Sequence, residues 1–135
     1  MTASHVFLDS PESIQRHLRN DIERYEFDCP GVRFVLCDDR NEVRAHVHIA
    51  DTPTEADHDE YELVVSTMAE SLAHTGDDPA MLLALMRPGT PSLTPSDGAW
   101  FRVAHHVCAD HGVRLLGVHV LTPHGQREVN LDDAL

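Results

Sequence analysis

The chain contains no lysine. All 10 of its basic residues are arginines, and against 23 acidic residues they leave a formal charge of −13. A surface this acidic repels phosphate backbones, and the arginines are scattered, with no cluster dense enough to reverse the sign locally. Direct nucleic-acid binding is therefore not expected. Long apolar runs are also missing: none approaches the roughly 18–20 residues that span a bilayer, so no membrane partner is expected. Residues 1–9 lack a basic stretch followed by an apolar one, so they do not read as a secretory leader, and a cytoplasmic location is the expectation. Cysteine is scarce. Cys29, Cys37 and Cys108 are odd in number, widely spaced and form no CxxC, so they read as reduced thiols, with Cys37 and Cys108 as small core residues. No GxSxG elbow, GxGxxG turn or Walker sequence occurs, so neither a strained serine nucleophile nor a phosphate cradle is in sight.

What is present suits one compact domain. The 135 residues are 41% hydrophobic and 24% charged, too apolar for disorder. Ser10-Pro11-Glu12 opens a helix with a cap, a first-turn proline and an acid at the positive end. Ile14, Leu18, Ile22 and Tyr25 then make one stripe, and Pro30-Gly31 ends the segment. Val32 to Cys37 and Val43 to Ile49 read as a hairpin around Asp38-Asp39-Arg40-Asn41. The alternation in its second strand puts Val43, Ala45, Val47 and Ile49 on one face and Arg44, His46 and His48 on the other. Thr54 is the candidate cap of a second helix with Tyr61, Val64, Val65, Met68 and Leu72 inward and Gly76 at its exit. Met81 to Met86 is continuously apolar, as a strand buried on both faces would be. A loop leads to Thr94-Pro95-Ser96-Asp97 and a third helix with Trp100, Val103, Ala104, Val107 and Cys108 inward, closed by Gly112. Two strands follow, Val113 to Leu121 and Gln126 to Leu131. The order α-β-β-α-β-α-β-β implies an α/β fold, a mixed sheet flanked by helices.

Histidine is abundant, at 11 residues. His46 and His48, two apart on a strand, share a face and form a two-ligand geometry; Asp57 or His58 is the only nearby candidate for a third ligand. A solvated hairpin face, continued by Arg44, is the better account of the pair. His105, His106 and His111 suit a solvated or dipole-capping role late in the third helix. His119 lies inside a strand, where partial burial with one nitrogen hydrogen-bonded is expected. Asp57-His58-Asp59-Glu60 reads as an acidic first helical turn and not as a calcium loop.

The ordered set of local words resembles the JAB/MPN domain of RadC-like proteins. The Ser10-Pro11-Glu12 helix start, Phe34-Val35-Leu36-Cys37-Asp38 followed by Arg40-Asn41, the buried strand with its Pro/Gly loop and Thr-Pro-x-Asp helix start, and Gly112-Val113-Arg114-Leu115-Leu116 carry that similarity. It runs over about residues 10–131 of a single domain, with 1–9 and 132–135 expected as flexible ends. The family's metal motif reads His-x-His-Pro-x-Gly, a loop, then Ser-x-x-Asp. Counting back without gaps from Asp97, the serine falls on Thr94, the glycine on Gly89, and the two histidines on Ala84 and Met86. A methyl cannot ligate zinc and a thioether does so poorly, whereas zinc catalysis needs three protein ligands and an open position for water. No glutamate can be assigned as the family's general acid/base. Thr94 and Asp97 also fit a helix capping pair that needs no metal.

The resemblance thus implies a non-catalytic JAB/MPN-like domain without metal or cofactor, working through a protein partner or through self-association as a homodimer. The alternative is a zinc metallohydrolase of isopeptidase or peptidase type with relocated ligands, His46 and His48. A DNA-repair-associated RadC-like role ranks third, because the helix-hairpin-helix segment that precedes the domain in those proteins is not in this chain and its charge opposes DNA.

Overall fold

Eight elements follow one another in the computed structural model: α1 (Pro11–Arg24), β1 (Gly31–Cys37), β2 (Val43–Ala50), α2 (His58–Ala73), β3 (Ala80–Met86), α3 (Pro95–His111), β4 (Arg114–Thr122) and β5 (Gly125–Val129). The structure describes residues 6–24, 31–50 and 58–130, with the backbone alone at 21–24, 50 and 58. The side chains of Ile22 and His58, the stripe position Tyr25, the cysteine Cys29, the cap Thr54, the ligand candidate Asp57, and the ends 1–5 and 131–135 lie outside that description.

The fold is α/β, and the order of elements is the one the sequence implies. The strands form one mixed sheet in the order β2-β1-β3-β4-β5. β1 runs antiparallel to both β2 and β3, β3 and β4 are parallel, and β5 returns antiparallel to β4. β3 is central because all seven of its residues are buried, which only a strand covered on both faces achieves. On one face Phe34, Met81, Leu83, Leu85, Val118 and Val120 pack under α2 and α3, through Tyr61, Val65, Trp100, Val103 and Val107. On the other, Val35, Cys37, Leu82, Ala84, Met86 and Leu121 pack under α1, through Ile14 and Leu18.

Local chemistry sets the joints. Ser10 and Ser13 cap α1 reciprocally: the Ser10 N–H donates to the Ser13 hydroxyl at 3.0 Å and the Ser13 N–H to the Ser10 hydroxyl at 3.1 Å. α3 ends where Gly112 turns left-handed, at φ 69°, and its N–H returns to the last carbonyls of the helix. The hairpin turn is an Asx arrangement in which Asp38 Oδ1 accepts from the N–H of Arg40 and of Glu42, at 2.9 and 3.0 Å. Arg114 ties that turn to the rest of the sheet. Its guanidinium donates to Asn41 Oδ1 at 2.6 Å and to the carbonyls of Asp38 and Asp78 at 3.1 and 3.0 Å.

Two findings correct the sequence reading. Residues 6–8, expected as part of a flexible end, are fastened: Val43 N–H donates to Val6 O and Leu8 N–H to Asn41 O, both at 2.8 Å, and Leu8 is 1% exposed. The alternation of β2 also breaks at one point. A bulge at Arg44 pairs Leu36 with Ala45 but Cys37 with Val43. Val43 therefore packs on the α1 face, while Val47 and Ile49 pack on the α2/α3 face.

Candidate functional site

Two polar groups lie where the sequence placed candidate ligands, one at the start of α3 and one beneath α1.

At the first, β3 ends at Met86 and the next residue, Arg87, turns toward α3. Its guanidinium grips the Asp97 carboxylate with two parallel bonds, Nη1 to Oδ1 at 2.6 Å and Nη2 to Oδ2 at 2.8 Å. Nη2 also donates to the Ser92 carbonyl at 2.7 Å, which closes the intervening loop onto the pair. Asp97 Oδ2 takes a third donor, the Thr94 N–H at 2.8 Å, so the aspartate caps the first turn of α3 as well. The two side chains are 14% and 2% exposed. A bidentate, charge-assisted pair of this depth holds one geometry and leaves Asp97 fully engaged.

Ala84 and Met86 are not part of this group. Both are buried in the cluster beneath α1, whereas Asp97 belongs to α3 on the opposite face. The structure brings Thr94 and Asp97 together and keeps Ala84 and Met86 apart from them. Arg87 was not singled out from the sequence. A basic residue ten positions before a helix-start aspartate, with proline and glycine between, was the available signal.

The second group is a polar row across all five strands on the α1 face. Cross-strand partners run His48, Arg33, Ala84, His119, Glu128. His119 reaches this face because a bulge between Leu115 and Gly117 shifts the phase of β4. Gly117 suits that bulge: its φ is 155°, and a Cβ there would stand 3.2 Å from His119 Nε2. His119 is more deeply buried than expected, 3% exposed, and its Nε2 has no hydrogen-bond partner among the described residues. The Glu128 carboxylate stands 3.7 Å away. Burial pulls the imidazole pKa from 6.5 down to about 4, so His119 is neutral near pH 7.

His46 and His48 lie on that face, yet they are drawn to different neighbours. The His48 ring lies over Gly31, whose absent Cβ would meet it at 2.9 Å. His46 instead meets His17 of α1, Nε2 to Nε2 at 2.8 Å. Among the described residues, no three His, Cys, Asp or Glu side chains gather as a metal cluster.

The remaining candidates have local roles. His106 stands 3.2 Å from Asp110, and His111 Nδ1 is 2.9 Å from Val107 O at the end of α3. Cys37 and Cys108 are buried thiols. Burial pushes both pKa values up to about 11, with the Asp38 charge adding to the effect at Cys37. Neither is poised as a nucleophile near neutral pH, although Cys108 lines a cavity of about 400 Å³ with Phe101, Val113, Leu115 and Glu128. Asp38 moves the other way. Burial opposes its charge, but the N–H groups of Arg40 and Glu42, with Arg44, outweigh that and hold its carboxyl below the usual value.

No helix among the described residues is long and apolar enough to cross a membrane. No protein-family model, curated protein or solved structure matches this chain.

Proposed function

We propose that this chain is a non-catalytic JAB/MPN-like domain of the RadC-like kind, acting through protein–protein contact with a partner or a second copy. The observation that carries the reading is the Arg87–Asp97 pair. If the family's His-x-His-Pro is set on Pro88 instead of Gly89, its histidines fall on Leu85 and Arg87, one residue on from the gapless count. In that register Arg87 aligns with the second histidine, and its guanidinium is bound to Asp97, the residue that aligns with the family's aspartate. A fixed cation thus takes up the charge of Asp97, and Leu85 contributes only core packing.

The experiment has two arms. In the first, the chain is supplied with zinc and an isopeptide-linked substrate. No turnover above the protein-free blank is expected; zinc-dependent cleavage that Asp97→Asn abolishes would overturn the reading and restore the metallohydrolase alternative. The second arm is sedimentation velocity across a concentration series. β2 and β5 are the outer strands of the sheet, and pairing of such edges is one route to a two-fold dimer. Concentration-dependent association is expected, and a strict monomer at high micromolar concentration removes the self-association half of the proposal.

A further inference from the structure

His17 and His46 take no part in the Arg87–Asp97 group, and their geometry is specific. We infer that these two imidazoles form a binding site for a divalent transition-metal ion that staples α1 to β2. Their Nε2 atoms are 2.8 Å apart, while the ring centroids are 5.0 Å apart with planes inclined by only 19°. The two nitrogens therefore lie between the rings, edge toward edge. Each ring is carried by a regular element, His17 by α1 and His46 by β2, and α1 is seated by Ile14 and Leu18 on either flank of His17.

Without metal, one Nε2–H donates to the other Nε2. On binding, that proton leaves Nε2, for Nδ1 of the same ring or for solvent, and both Nε2 lone pairs go to the ion. Bonds of about 2.0–2.1 Å in a tetrahedral site separate two nitrogens by about 3.3 Å. The pair must open by about half an ångström, and each ring must tilt by roughly 35° so that its lone pair leaves the N–N line and meets the ion; His46 is exposed and has room for that movement. Imidazole donors select zinc, copper or nickel over magnesium or calcium. The −13 charge of the chain raises the local concentration of any cation. His17 and His46 supply two ligands of an exchangeable site with a structural effect, distinct from the Arg87–Asp97 pair and independent of the reading of that pair.

The test is calorimetric titration of the chelator-treated chain with zinc chloride at pH 7.5. One equivalent should bind with micromolar affinity and raise the melting temperature. His17→Gln and His46→Gln should each weaken binding about tenfold or more. His106→Gln, on the exposed side of α3, should bind as the parent does. Circular dichroism of the metal-free variants checks their fold. Copper(II) added to the parent should give an electron paramagnetic resonance spectrum with two equatorial nitrogens, and one in either glutamine variant. Absence of saturable zinc binding in the parent, or unchanged binding when His17 and His46 are both glutamine, would overturn the inference.

Discussion

Asp97 accepts from Arg87 through both oxygens and from the Thr94 N–H as well, so its removal acts on two structures at once. Asp97→Asn keeps an oxygen for the cap but leaves a guanidinium that is only 14% exposed without its counter-charge. We expect a loss of about 3 kcal/mol in urea denaturation. Arg87→Met combined with Asp97→Asn should cost less than the sum of the two single changes, because the second removes a charge that the first has stranded; strict additivity in that cycle would show the pair to be uncoupled. His119 supports a prediction in pH. Its folded value of about 4 lies below the ordinary 6.5, so the unfolded chain takes up the proton first as pH falls. The stability it contributes is complete above about pH 6.5 and is lost toward pH 4, by up to about 3 kcal/mol. His119→Leu removes the proton site and a buried nitrogen, and should gain in stability relative to the parent at pH 5 more than at pH 8. Equal shifts at both pH values would count against the assignment. Capping was legible at this scale, since Thr94 and Asp97 stand three apart at a helix start. The partner of Asp97 was not, because an arginine across a loop carries no periodic signal.

Elements were more legible than their phases. The 3.6-residue stripes of α2 and α3, and the unbroken apolar run of β3, follow from burial on one side or on both, and the structure has those elements. Alternation in β2 and β4 was legible only up to the bulge in each. One extra residue reverses every side chain beyond it, which sends Val43 to α1 and His119 to the α1 face. No composition rule marks such a residue; Gly117 was the single hint. The hairpin offers an element-scale test at Gly31. A methyl there would stand 2.9 Å from the Ile49 carbonyl oxygen as well as from the His48 ring. The ring can turn away, but the backbone oxygen cannot without moving β2 from β1. Gly31→Ala should therefore destabilise by about 1–3 kcal/mol and speed amide exchange along β1 and β2 more than along β4 and β5. Uniform exchange across the sheet would show that β2 gives way without cost.

For the whole molecule, charge decides one outcome directly. With −13 over 135 residues and no lysine, duplex DNA should show no saturable binding in the micromolar range at physiological salt. Fluorescence anisotropy with a labelled duplex checks this, and a saturable rise that falls with added salt would contradict it. The sequence by itself determined the α/β class, the order of the eight elements and the central place of β3, because each follows from local periodicity and from how many faces a strand must bury. It also placed Ala84 and Met86 within a buried strand and Thr94 with Asp97 at a helix start. Only the tertiary structure decided which of these meet. Ala84 and Met86 face α1 while Asp97 binds Arg87 on the side of α3, and His46 finds His17, 29 residues earlier in the chain. Strand phase, loop closure and helix placement are set by packing between segments distant in sequence, and no local pattern encodes them.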